Sequence, residues 1–349
     1  MSSGETAAQR IPPFLTLGSA RPLATAPISV PTQPDPVVSD VSRETSSPSS
    51  SGPTFLDLLD EGSPIASQLA NEARRRERLQ GRAFRRPANT RVFTVSNQKG
   101  GVGKTTTTVN IAAALASAGL NVLVIDIDPQ GNASTALGIE HHAEVESIYD
   151  VLINDAPLGD VVAQCPDVEH LECAPATIHL AGAEIELVSL VAREQRLRRA
   201  IENYAKQREA EGKPRLDYIF IDCPPSLGLL TVNAFCAASE VLIPIQCEYY
   251  ALEGLSQLLK NIEMIQKHLN ADLRVSTILL TMYDGRTNLA AQVAAEVREH
   301  FPEQVLEAVV PRSVRISEAP SYQQTVMTYD PSSTGALSYL EAAAEIAER

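Results

Sequence analysis

The chain has 349 residues, a formal net charge of −14, 44% apolar residues and 21% charged ones. This composition excludes wholesale disorder, and no apolar run approaches the ~18 residues of a membrane-spanning helix. Five cysteines, an odd count with no C-x-x-C pair, argue against a disulfide framework, a zinc ribbon or a paired-cysteine cluster and fit reduced cytosolic thiols.

The chain opens on Met1-Ser-Ser-Gly-Glu-Thr, which has no basic stretch followed by an apolar one, so no secretory signal is expected. Residues 1–53 are rich in Ser, Pro and Thr and bury too little apolar surface to offset ordering entropy, so a disordered tail is expected there. Residues 54–90 read as a partly helical extension or linker, broken at Gly62 and Pro64. Charge is segregated: residues 72–91 carry net +6, whereas residues 92–349 carry net −16. The arginine run suits a solvated helix face, and equally a dock for nucleic acid, anionic lipid or an acidic protein.

From Arg91 onward, short β-branched runs alternate with Ala/Leu-rich helical stretches. Strands are predicted at 92–96, 122–127, 218–222, 241–245, 275–281 and 305–310, and helices at 105–118, 252–269, 289–301 and 335–347. Near-continuous apolar strands separated by helices imply an α/β fold: a mostly parallel twisted sheet covered on both faces. Ligands in such sheets bind beyond the carboxyl ends of the strands.

The run Asn97-Gln-Lys-Gly-Gly-Val-Gly-Lys-Thr-Thr106 follows a predicted strand and opens a predicted helix, the context of a phosphate loop. Gly100, Gly101 and Gly103 let backbone N–H groups turn toward phosphate oxygens, and the helix aims its positive end at the same anion. Val102 and Thr106 complete the nucleotide-binding stretch. Lys104 suits the β- and γ-phosphates, and the Thr105 hydroxyl suits Mg²⁺. Gln98 stands where the usual loop has its first glycine, and Lys99 comes next, so the loop is a variant. Asp126, Asp128 and Asp222 follow apolar strands, where a carboxylate is costly unless a cation or donors await it. Asp222 has the position of a magnesium carboxylate. Asp128 is the candidate for orienting the attacking water, and Asp126 for the metal shell.

These segments resemble the ParA/Soj chromosome- and plasmid-partitioning ATPases of the deviant Walker A (MinD/ParA) group of P-loop proteins. The resemblance runs from about Arg91 to the C-terminus. It includes Asp126-Ile-Asp-Pro-Gln-Gly-Asn132, Ala181-Gly-Ala-Glu-Ile-Glu186, Asp222-Cys-Pro-Pro-Ser226, Gly285-Arg-Thr-Asn-Leu289 and Pro311-Arg-Ser-Val-Arg-Ile-Ser-Glu-Ala-Pro320. It implies an ATP hydrolase of weak intrinsic activity that uses ATP and Mg²⁺. Lys99 would be the signature lysine, reaching across an ATP-dependent homodimer to the facing nucleotide, and Pro311 would lie near the adenine. Arg286 and Arg315, with Arg312 beside them, would bind double-stranded DNA without sequence preference. A ParB-like centromere-binding partner would stimulate hydrolysis and release, in a bacterial cytoplasm on the nucleoid. Two alternatives stand beside this reading. A MinD-like membrane ATPase needs a basic amphipathic C-terminal helix, and the acidic, Ala-rich end here argues against it. A scaffold role would have residues 54–90 recruit a polar partner protein.

Overall fold

The computed structural model describes residues 64–80, 84–249 and 251–349, without the side chains of 64–69. The expected tail at 1–53 lies outside the described residues. In chain order the elements are α1 (Pro64–Leu79), β1 (Arg91–Val95), α2 (Lys104–Ser117), β2 (Val122–Asp126), α3 (Asn132–Ala136), α4 (Ile148–Ile153) and α5 (Leu158–Val161). Next come β3 (Ala163–Gln164), β4 (Leu171–Ala174), α6 (Leu180–Leu187), α7 (Arg196–Ala210), β5 (Tyr218–Asp222), α8 (Leu229–Ala237), β6 (Glu240–Gln246) and α9 (Ala251–His268). The chain ends with β7 (Arg274–Tyr283), α10 (Asn288–His300), β8 (Val305–Pro311), α11 (Val314–Glu318), α12 (Val326–Tyr329) and α13 (Thr334–Glu348).

The strands form one sheet in the order β3-β4-β2-β5-β1-β6-β7-β8, parallel throughout except for β3. Both faces are covered, which is why the strands show no polar alternation. Val122 and Val124 of β2 join the core beneath α2 and α13, while Leu123 and Ile125 join the opposite core with Leu197 and Ile201 of α7. Phe93, Tyr218 and Phe220 stack in a ladder across β1 and β5, with Phe93 and Phe220 centroids 5.2 Å apart. Such offset aromatic pairs add to their area of burial. A third core joins β6 and β7 to α9 and α10.

Register brings the chemistry together. Val95 and Asp126 both pair with Asp222 from opposite sides of β5. The loops leaving β1, β2 and β5 therefore emerge side by side at one end of the sheet.

The extension differs from a free linker. α1 packs on α13: Arg75 forms a two-pronged pair with Glu341 (2.6–3.1 Å) and donates to Ser338 Oγ at 2.9 Å, while Thr334 Oγ1 donates to Glu72 at 2.7 Å. Arg86 pairs with the buried Asp217 at 2.6 Å, and Phe84 packs on the core. The compact unit accordingly begins near Leu59, well before the expected boundary at Arg91. Four of the eight arginines in the run, Arg75, Arg76, Arg86 and Arg91, are engaged with the body of the protein.

Candidate functional site

The loop from Ser96 to Gly103 is built from local constraints. Asn97 is buried; its Nδ2 donates to the Pro244 carbonyl at 2.8 Å and its Oδ1 accepts from Lys99 N at 3.0 Å. Thr281 Oγ1 of β7 donates to the Val102 carbonyl at 2.8 Å and ties the loop down. Gly101 (φ +75°) and Gly103 (φ +88°) occupy the left-handed region, which a side chain would strain. Gly103 caps α2 with no side-chain hydrogen bond, so the first-turn amides face the loop with the helix's positive end.

Lys104, the first residue of α2, is buried, and its Nζ donates to the Lys99 carbonyl at 3.4 Å. Burial lowers its pKa, and the charges of Asp222 and Asp128 oppose that shift. Thr105 Oγ1 donates to Asp222 Oδ2 at 2.7 Å. Thr108 Oγ1 lies 3.0 Å from Asp222 Oδ1 and 3.0 Å from the Lys104 carbonyl. Asp222 has no exposed surface and stands behind Thr105. Burial, then the charge of neighbouring Asp126, pushes its pKa up against the two threonine bonds. Two carboxylates in a dry site beside a hydroxyl form a hard-oxygen donor set that suits Mg²⁺.

Asp126 and Asp128 separate in role. Asp126 is fully buried and accepts from Ser134 N (2.9 Å), Ser134 Oγ (2.8 Å) and Asp128 N (3.1 Å). Its oxygens brace the loop after β2, so the expected place in a metal shell gives way to a bracing one. Asp128 accepts only from Gln130 N, at 3.0 Å, among the printed side-chain contacts and borders the cavity in front of the phosphate loop.

That cavity has a volume of about 600 Å³. Gly101, Gly103, Lys104, Thr105, Thr106 and Asp128 form one wall, and Met282, Ile316, Ala319, Pro320 and Gln324 stand on the other. Of the expected binding residues, Gly100, buried Val102 and Pro311 are not on its wall. Pro311 ends β8 and borders a different cavity with Arg75 and Arg78. The apolar residues facing the loop come instead from the stretch just after Pro311, beginning with Ile316. Asn110, also on the wall, had no motif to mark it; its Oδ1 accepts from Val326 N at 2.8 Å.

Lys99 sits at the mouth of the loop, with Nζ 2.6 Å from Glu248 Oε2. Sequence reasoning missed Glu248, although it directly follows the predicted strand at 241–245 on the same sheet end.

The remaining arginines gather at the ends of β7 and β8. Arg286 grips Asp284 through Nε and Nη2, both at 2.8 Å, yet is 90% exposed. Arg312 is exposed, and its charge also reaches Asp284. Arg315 pairs with Glu318 (3.3 Å) and Asp330 (3.4 Å). No helix among the described residues is long and apolar enough to cross a membrane.

A family model described as an AAA domain matches residues 90–275. The chain is 54% identical over 257 residues to the sporulation initiation inhibitor protein Soj of Bacillus subtilis, covering 74% of this chain and 98% of that protein. The chain belongs to the Soj/ParA family of P-loop ATPases. The chromosome partitioning protein ParA of Myxococcus xanthus is 51% identical over 259 residues, covering 74% of this chain and 88% of its own length. The solved cobyrinic acid a,c-diamide synthase of Mycobacterium smegmatis, with bound ATP analogue and magnesium, has a TM-score of 0.61 at 36% identity, covering 73% and 93% of the two chains. The matched relatives correspond to about three quarters of this ParA-family chain.

Proposed function

We propose that this chain is an ATP hydrolase that partitions chromosomes, with ATP and Mg²⁺ as its substrate and metal. The observation that carries the reading is the cluster of Lys104, Thr105 and Asp222 behind a left-handed glycine loop at the start of α2. The amides of residues 100–105 and the Lys104 ammonium hold the triphosphate. Thr105 would hold Mg²⁺, with Asp222 behind it. The ion when bound offsets charge on the phosphate oxygens. Asp128, on the cavity wall, orients the water that attacks the γ-phosphate. A carboxylate accepting one hydrogen bond retains lone pairs for that water.

Lys99 gives the cycle its switch. Released from Glu248, it reaches a nucleotide held by a second copy, so a homodimer forms only with ATP. The dimer holds nucleoid DNA through Arg286, Arg312 and Arg315. A ParB-like partner speeds hydrolysis and returns monomers to the bacterial cytoplasm. A body of net charge −16 from residue 92 onward repels DNA at long range, so binding rests on a local patch and weakens steeply with salt.

Co-sedimentation with duplex DNA tests the reading, run without nucleotide, with ADP and with ATP across a salt series. Binding only with ATP, lost as salt rises, is expected. Equal binding in all three states, or none in any, refutes it.

A further inference from the structure

We propose that α1, which lies outside the part shared with the matched relatives, extends the DNA-binding surface of Arg312 and Arg315. The proposal rests on the DNA reading above and assigns a second set of phosphate contacts to Arg74 and Arg78.

The placement comes from contacts between α1 and the carboxyl end of β8. Arg76 donates to the Ser332 carbonyl. Ser332 Oγ donates to Asp330 Oδ1 at 2.8 Å, and the other oxygen of Asp330 lies 3.4 Å from Arg315 Nε. Arg78 and Pro311, the residue before Arg312, border one cavity of about 750 Å³. The arginines of α1 and those after β8 therefore belong to one neighbourhood.

The charges on α1 divide by face. Glu72, Arg75 and Leu79 are half-buried at helical spacing, and Glu72 and Arg75 engage α13. Arg74 and Arg78, one turn apart, are exposed and have no ion-pair or hydrogen-bond partner among the described residues. Like charges at i and i+4 repel each other. An external run of phosphates relieves that repulsion at a repeat near the spacing of the two side chains. Arg286 and Arg315 each have an acidic neighbour already, so unpaired cations on α1 add what the body lacks. Glu77 on α1 and Glu307, Glu345 and Glu348 across the cavity limit the gain and favour a few close phosphate contacts over long-range attraction.

An anionic membrane fits less well. Interfacial helices pair basic residues with bulky apolar ones on the buried face. Between Ala70 and Gln80 the only large apolar side chain is Leu79, which lines the cavity against β8.

The test is the double variant Arg74→Glu/Arg78→Glu in the full chain, with Arg74→Lys/Arg78→Lys as the charge-conserving control. Affinity for labelled duplex DNA is measured with ATP and Mg²⁺ from about 50 to 200 mM salt. ATP-dependent dimer formation by sedimentation serves as the folding control. The expected result is weaker binding and a plot of log affinity against log salt shallower by about 2 per engaged subunit, with the lysine variant near the unmodified chain. Unchanged affinity and slope, with DNA binding by the unmodified chain intact, overturn the role of α1 alone. Loss of binding to phosphatidylglycerol vesicles with DNA affinity unchanged overturns it in favour of a membrane. If the unmodified chain does not bind DNA with ATP, both this inference and the reading beneath it fall.

Discussion

Lys99 and Glu248 close an ion pair of 2.6 Å within one subunit, at the mouth of the phosphate loop. Both side chains are partly exposed, 35% and 47%, so the pair is screened and contributes little to folding. Its consequence is competitive. A lysine meant for a facing subunit's phosphate first gives up Glu248, so the pair opposes assembly. Each such pair contributes about 0.5 kcal/mol, and a dimer breaks two. Glu248→Gln should therefore tighten ATP-dependent self-association by about fivefold. Sedimentation velocity over a protein dilution series measures this. A dimer no tighter than that of the unmodified chain would show that Glu248 does not restrain Lys99.

Lys104 is buried, with only a long contact to a carbonyl oxygen. A desolvated ammonium held this way awaits an anion. Lys104→Ala should lower ATP affinity by ~100-fold, the loss of a charge-assisted contact worth about 3 kcal/mol. Calorimetric titration with a non-hydrolysable analogue reads it directly. Tight binding by the variant would move the phosphate site elsewhere.

Asp126 and Asp128 are two residues apart, yet their substitution should give opposite results. Asp126 accepts three hydrogen bonds in the interior. Asp126→Asn turns an amide group toward one of those donors, and unfolding should come about 2 kcal/mol earlier in a denaturant titration. Asp128→Ala should leave stability and ATP binding near normal while hydrolysis drops to background. Normal turnover in Asp128→Ala would transfer the water-orienting role to another group.

Arg315 is exposed, with Glu318 and Asp330 as its neighbours. Arg315→Glu should weaken ATP-dependent DNA binding and make its salt dependence shallower by about 2 per engaged subunit, one lost contact plus one added repulsion. Dimer formation should persist. Anisotropy of a labelled duplex separates the two effects, and equal affinities at low salt would remove Arg315 from the surface.

The sheet was legible because its strands carry the strongest signal a buried sheet gives, unbroken β-branched runs ending on an aspartate. Strands at 122–127 and 218–222 were placed within a residue of β2 and β5. The phosphate loop was legible because glycine spacing and the lysines fall at a strand-to-helix junction. The short pieces between Ile148 and Ala210 were not. β4 has four residues and β3 two, and α4 and α5 are barely a turn or two, too short for any period to emerge. Arginines also misled. The run Arg193–Arg199 reads as a solvated face, yet Arg196 is tucked against the Leu152 carbonyl and Asp155. Nothing in local spacing distinguishes a solvated arginine from one that caps a helix distant in sequence. Ion-pair partners such as Glu341 for Arg75 or Glu248 for Lys99 lie more than a hundred residues away, and only the assembled fold brings them into reach.

Arg91 and Glu240 form the most buried of the ion pairs that tie the start of the sheet to its neighbour, with Nη2 2.7 Å from Oε2. The Arg91 guanidinium also lies over Phe93 and donates to the Ile346 carbonyl at 2.6 Å. Burial alone would raise the carboxyl pKa of Glu240, but the hydrogen bond and charge of Arg91 outweigh it and hold the pKa low. Glu240 thus supports folding above its unfolded pKa, and that support fades as pH falls through the folded value. In Arg91→Ala the carboxylate remains buried with only Arg274, 3.5 Å away, as a cationic neighbour. Its folded pKa then rises and the sign reverses: the penalty is largest at neutral pH and eases as the group takes up a proton. Arg91→Ala should cost about 3 kcal/mol at pH 7 and clearly less at pH 4.5. Urea titrations of both proteins at the two pH values check this. A difference in stability that stays constant or widens on acidification would mean that Glu240 is not the group left uncompensated.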